Sequence, residues 1–383
     1  MGHIGTHFEG VIVKMTRSSF LLFLFTLSYN IIVCYSSYTG HRVYKMSQTL
    51  NPYFKTTSHQ FQNHLMARKP YLSRYGTLQA LDQAMGWNTA RWGSEKYLTD
   101  VVGPNTKVRV EQINALENSN MFGPKESKLI WLKWKTFMKW YHSKESALPS
   151  FLPPFFFVDP LYYLTIQGES VHPPLEQLFD AADITLPSPL KSLKKDLLWD
   201  SAHMWIGKVQ SKFGLATRMH ADTYDNLYYL ISGKKKVILI GPNDASKLSL
   251  YGKFKTVKQD GEIIFYNQTT AQNNVGNKEV INHFSEIDPH LKLEEIVLKY
   301  PDYATIDGSY EVDMIPGDVL YIPTGWFHSF QSYGKHMAVN FWFLHRKFVK
   351  NNGGGVNDEA DQKDKDVEKK KNGKPRGVLS TEL

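Results

Sequence analysis

The apolar positions change their period along the chain. Leu78-Gln79-Ala80-Leu81-Asp82-Gln83-Ala84-Met85, followed by Gly86, predicts a short helix stopped by glycine. From Lys128 to Tyr141, Ile130, Trp134, Phe137 and Tyr141 recur at helical spacing while Lys128, Lys135 and Lys139 fall on the other side, which predicts one basic amphipathic helix. Helices of this kind lie on membranes or hold nucleic acid, and more often bury the aromatic face and leave the lysines in water. Beyond the proline-rich turns around Pro149, Pro153, Pro154, Pro173, Pro174, Pro187 and Pro189, the pattern turns to strands. These are expected at 162–167, 197–206, 227–231, 237–240, 319–322 and 337–343. Ser232-Gly233-Lys234 and Pro316-Gly317-Asp318 sit where hairpin turns are expected. Many short strands with Gly and Pro turns argue for an all-β sandwich or barrel, a mainly β fold.

Composition adds bounds. The chain has 383 residues, 42% of them hydrophobic and 14% aromatic, enough for one large or two ordinary folded domains. A net charge of +8 suits nucleic acid, acidic lipid or an acidic protein and by itself selects none of them. Cys34 is the single cysteine, which excludes an intramolecular disulfide and cysteine-built zinc sites. Residues 18–35 are uncharged and largely apolar, and Lys14 and Arg17 precede them. This fits a signal peptide, or a membrane anchor at the short limit of length. The expectation is the secretory pathway, endoplasmic reticulum or membrane attachment if the segment acts as a signal, and cytoplasm or nucleus if it does not. Asn267-Gln268-Thr269 is then the only glycosylation sequon. The stretch 351–383 is dense in balanced charge with no apolar face, and is expected to be disordered. The expected organisation is a signal or anchor at 1–40, a helical and mixed region at 41–150, a β domain at 151–350 and a charged tail at 351–383.

His220-Ala221-Asp222 carries the chemistry. On a strand, residues two apart point to one face, so an imidazole and a carboxylate stand side by side. A second histidine from a neighbouring strand, His328, would complete a two-histidine, one-carboxylate set suited to non-haem Fe(II). His-x-Asp alone occurs often by chance, so its surroundings carry the weight.

Two windows supply them. His220-x-Asp222 is followed by Asn226-Leu227 and by Gly233-Lys234-Lys235. Farther on, Gly317-Asp318-Val319-Leu320-Tyr321-Ile322-Pro323 leads through Trp326 to His328, and Val339-Asn340-Phe341-Trp342 follows. In this order they resemble the JmjC (cupin-like) family of Fe(II)- and 2-oxoglutarate-dependent oxygenases, from about Leu152 to Phe348. The resemblance implies a double-stranded β-helix, or jelly-roll, core with N-terminal supporting helices. It makes His220, Asp222 and His328 the iron ligands, and Lys235 the cation for the far carboxylate of the cosubstrate 2-oxoglutarate. Thr217 and Tyr163 match its hydroxyl partners, and Asn226 and Asn340 match polar positions lining the same pocket. The implied reaction couples decarboxylation of 2-oxoglutarate, with O2, to hydroxylation of a substrate.

The windows look most like small JmjC members that hydroxylate protein side chains, of the lysyl hydroxylase type. They are also similar to tRNA wybutosine hydroxylases, which a basic surface suits. Lysine demethylation and a cupin-fold binding protein without turnover stay open. The long connection at 241–314 is expected to border the substrate mouth, with 293–303 packed over it.

Overall fold

The computed structural model describes residues 4–8, 11–15, 42–45, 49–50, 59–113, 127–143, 161–166, 173–185, 187, 190, 193–209, 214–257, 263–265 and 283–351. Residues 18–35, the Asn267 sequon and the 352–383 tail lie outside the described residues. Among the described residues, no helix is long and apolar enough to cross a membrane.

Among the described residues, thirteen strands form one continuous hydrogen-bonded system. In chain order they are β1 (Arg42–Lys45), β2 (Thr49–Leu50), β3 (Tyr71–Arg74), β4 (Lys107–Ile113), β5 (Ser127–Lys133), β6 (Leu161–Ile166), β7 (Leu197–Val209), β8 (Leu215–Ala216), β9 (His220–Ala221), β10 (Asp225–Ile240), β11 (Gly308–Met314), β12 (Asp318–Ile322) and β13 (Phe327–His345). Two long strands organise the rest. β10 and β13 pair antiparallel from Asp225↔Phe343 to Ile240↔Phe327, with register shifts around Ser232. At that point both strands bend from one layer into a second.

The first layer runs β3, β12, β10, β13, β7, β6, β4, β5. The second joins β11 to the far half of β10, with β8 and β9 on β13. Tyr228, Leu230, Leu320 and Ala338 of the first layer share one buried cluster with Val237, Leu239, Val312 and Phe330 of the second. That interleaved core between two bent antiparallel sheets is the expected jelly roll.

Alternation assigns the other faces. Leu227, Tyr229, Val339, Phe341 and Phe343 point outward from the first layer onto the N-terminal helices. Among these are the helices Leu78–Met85, capped by Thr77 and stopped at Gly86 as expected, and Trp134–His142. The outer face of the second layer is covered by the 241–314 connection, where Ile238 and Ile240 pack with Leu248, Ile287, Ile296 and Tyr303.

Three expectations need correction. Residues 127–133 form strand β5, and the helix begins only at Trp134. Ile130 and Leu132 pack on the core face against the helical layer while Leu129 and Trp131 point away, so pairing with β4 overrides the helical period. Ser232-Gly233-Lys234 is a bulge within the continuous β10 strand and makes no hairpin. Gly233 takes φ +84 there, and a Cβ would stand 2.4 Å from the Lys335 carbonyl oxygen, so the bend requires glycine. Finally, 293–303 packs behind the second layer, away from the cavity described next.

Candidate metal and cosubstrate site

The site lies between the two layers. β9 pairs antiparallel with the start of β13 so that His220 is directly opposite His328. Asp222 follows His220 by two residues and turns to the same side. His220 Nε2 stands 3.9 Å from one Asp222 oxygen, and His328 Nε2 stands 3.5 Å from the other. One ligand atom from each of the three residues lies within 4.8 Å of the others, the one such grouping among the described residues.

The backbone sets the imidazole tautomers. His220 Nδ1 is 2.7 Å from the Arg218 carbonyl oxygen, and His328 Nδ1 is 3.0 Å from that of Trp326. A carbonyl only accepts, so each Nδ1 carries the hydrogen and each Nε2 presents a lone pair inward. Burial, helped by the neighbouring His328, pushes His220 down to about 4. Burial opposes ionisation of Asp222, but the two imidazoles that face it, His328 foremost, outweigh it and hold the carboxyl at about 2. Two nitrogen lone pairs and a carboxylate on one side of a cavity fit a divalent first-row metal such as Fe(II).

The cavity beside them has a volume of about 220 Å³. That is below the range of about 300–1,000 Å³ for drug-sized sites and suits a small metabolite. Lys235 stands at its other end, opposite Ser332, whereas His328 is opposite Leu239. His328, Phe330 and Ser332 alternate along the inner face of β13, so the lysine row is about 13 Å of strand from the histidine row.

Lys235 is only 1% exposed. Its Nζ donates to Ser332 Oγ at 2.8 Å and to Tyr163 Oη at 3.3 Å. The rings of Tyr163, Tyr228 and Phe330 lie 5.7–5.9 Å from it. Burial pushes its ammonium down to about 7. An ammonium buried without a carboxylate is costly, and the missing partner is what an incoming carboxylate would supply.

The remaining expected residues divide. Thr217 lines the cavity, with its hydroxyl accepting from Phe330 N–H at 2.9 Å. Asn226 and Tyr163 also line it. Asn340 does not. It is fully buried beside them in the same layer, donating to Asn226 Oδ1 at 2.9 Å and accepting from Trp205 Nε1 at 2.6 Å. Its role is to orient those two wall residues.

Several wall residues were not anticipated: Trp205, Tyr228, His283, Phe284, Phe330 and Trp342, with Ser332 at the lysine. Tyr228, Phe330 and Ser332 were findable, since each lies at an even step from Asn226 or His328. His283 and Phe284 come from within the 241–314 connection. There Ser285 N–H donates to the Met219 carbonyl at 2.8 Å, and Ala221 N–H donates to that of His283 at 3.3 Å.

With this geometry in view, the Cupin-like domain model matches residues 58–347, which is most of the chain. The chain belongs to the cupin-like JmjC family. Among curated relatives, it is 25% identical over 193 residues to the human "Bifunctional peptidase and (3S)-lysyl hydroxylase JMJD7", covering 47% of this chain and 52% of that protein. It is 28% identical over 153 residues to the Arabidopsis thaliana "Lysine-specific demethylase JMJ32", covering 38% and 41%. It is 32% identical over 198 residues to the human "tRNA wybutosine-synthesizing protein 5", covering 50% of each. The chain thus spans about half the length of these relatives or less. Their names place hydroxylation, demethylation and tRNA modification within reach of one JmjC scaffold.

Proposed function

We propose that this JmjC protein is an Fe(II)- and 2-oxoglutarate-dependent dioxygenase that hydroxylates a side chain of a protein substrate. The observation that carries the reading is the pairing of two features in one cavity. At one end are His220, Asp222 and His328 with both Nε2 lone pairs turned inward, and at the other is a buried Lys235 whose partners among the described residues include no carboxylate.

In this reading His220, Asp222 and His328 hold iron. Lys235 takes the far carboxylate of 2-oxoglutarate, and Tyr163 and Ser332 fix the direction of its ammonium. Thr217 and Asn226 present polar atoms to the wall between, and Asn340 keeps Asn226 and Trp205 in place. Phe330 and Tyr228 give the middle of the cavity apolar surface that keeps water from the lysine. The chemistry supplied on loading is decarboxylation of 2-oxoglutarate to succinate and carbon dioxide, coupled through O2 to hydroxylation of a C–H bond. None of these side chains has to act as a general acid or base.

Likeness to the lysyl hydroxylase supports a protein substrate. A second reading, hydroxylation of a tRNA base, is supported by the likeness to the wybutosine protein and by the net charge of +8. Incubation with Fe(II), 2-oxoglutarate and either a cell protein extract or total tRNA, followed by mass spectrometry, separates them. A gain of one oxygen on a peptide supports the first reading. The same gain on a tRNA nucleoside, with unmodified peptides, replaces it with the second.

A further inference from the structure

Beyond the cavity wall, the first layer continues into β4 and β5, and β5 is its outermost strand. The register shows which face continues. Leu129 is opposite Glu111, Glu111 is opposite Tyr163, and Tyr163 is opposite Gly207. Leu129 and Trp131 therefore lie on the face that carries Tyr163 and Trp205 into the cavity. They are 63% and 60% exposed, among the most exposed large apolar side chains of the described residues.

The exposed charges that β4 and β5 place on this face are of one sign. Lys107 is opposite Lys133, and Arg109 is opposite Trp131. All three cations are exposed, and Glu111, the one acid in these two strands, is buried. Like charges directly opposite one another destabilise a sheet. Exposed leucine and tryptophan at alternate positions add no stability in water either. Each feature is relieved by the same kind of partner. Carboxylates would neutralise the cations, and apolar side chains two residues apart would cover Leu129 and Trp131. Among the described residues no strand pairs with the outer edge of β5, and that edge offers backbone groups for a further strand.

We propose that this face and edge dock an extended acidic segment of a polypeptide. The inference rests on the protein-substrate reading, in which the segment is the flank of the residue that enters the cavity. Three strand spacings, about 14 Å, separate Tyr163 from a strand added outside β5. About four extended residues cover that distance. An RNA strand would meet the same cations, but it gains little from Leu129, and a β edge offers it no ladder.

The test is fluorescence anisotropy on the full chain without iron or 2-oxoglutarate. The probes are a fluorescein-labelled peptide of alternating glutamate and valine, its lysine-for-glutamate counterpart, and a labelled oligouridine. The glutamate peptide binds and the lysine peptide does not. Arg109→Glu and Trp131→Ala each weaken it about tenfold, which corresponds to about 1.4 kcal/mol. Lys133→Glu weakens it similarly while raising the melting temperature, because a like-charged pair becomes an opposite one. That separates lost docking from lost folding. No binding of the glutamate peptide, equal binding by the variants, or oligouridine bound in its place would overturn the proposal. Such a failure leaves the dioxygenase reading standing, and a failure to form succinate leaves the docking face standing.

Discussion

Phe284 lies flat against the imidazole of His220, with ring centroids 5.0 Å apart and planes 12° apart. The two residues also form an isolated antiparallel bridge, so the 241–314 connection holds the ligand histidine by ring and backbone together. Phe284→Ala removes only the ring. Stacked aromatic pairs are worth about 0.5–1.5 kcal/mol beyond burial, so metal affinity should fall about three- to tenfold. An anaerobic Fe(II) or Mn(II) titration measures this, and Phe284→Trp should restore most of the loss.

Lys235 sets function against stability. Truncating one partner of a buried charge pair costs about 2–5 kcal/mol, so Lys235→Ala should weaken 2-oxoglutarate at least about thirtyfold. Lys235→Met should weaken it comparably and raise the melting temperature of the ligand-free protein, because an unpaired buried cation is replaced by an apolar chain. Calorimetric unfolding and 2-oxoglutarate titration on the same sample check both halves.

The same lysine makes binding depend on pH. In the free protein burial pushes it down to about 7, and a bound carboxylate favours the charged form and raises it. Binding above pH 7 therefore takes up a proton, and affinity falls as pH rises through that range. For stability the sign is opposite. Between about 7 and the unfolded value near 10.4 the unfolded chain binds the extra proton, so the ligand-free fold gains stability with rising pH. Titration calorimetry in two buffers of different ionisation enthalpy reads the proton uptake, which Lys235→Met should abolish.

Gly207 tests the wall at the lysine end. A Cβ there would stand 2.6 Å from Tyr163 and 2.7 Å from His336, so Gly207→Ala must displace both of these buried rings. The expected result is weaker 2-oxoglutarate binding with metal affinity unchanged, since neither ring touches the histidine pair.

Much of this architecture was legible in the chain. Alternation within β10, β12 and β13 exposed the jelly-roll strands, and the even spacing of His220 and Asp222 placed two ligands on one face. The order of the surrounding windows singled out His328 and Lys235. What stayed hidden depends on partners distant in sequence. Phe284 meets His220 only because the connection folds back. Residues 127–133 carry a helical apolar period but become a strand because β4 offers them hydrogen bonds. Asn340 shares a strand and a face with the inward-facing Trp342, yet its side chain is spent on Asn226 and Trp205 at its sides.

The central claim is that His220, Asp222 and His328 hold the iron that drives 2-oxoglutarate turnover. The most direct measurement is succinate formation, with and without added Fe(II), by the wild-type protein and by His220→Ala, beside circular dichroism to confirm that both are folded. Iron-dependent succinate from the wild type and none from the folded variant is the predicted result. Turnover retained by His220→Ala would contradict it.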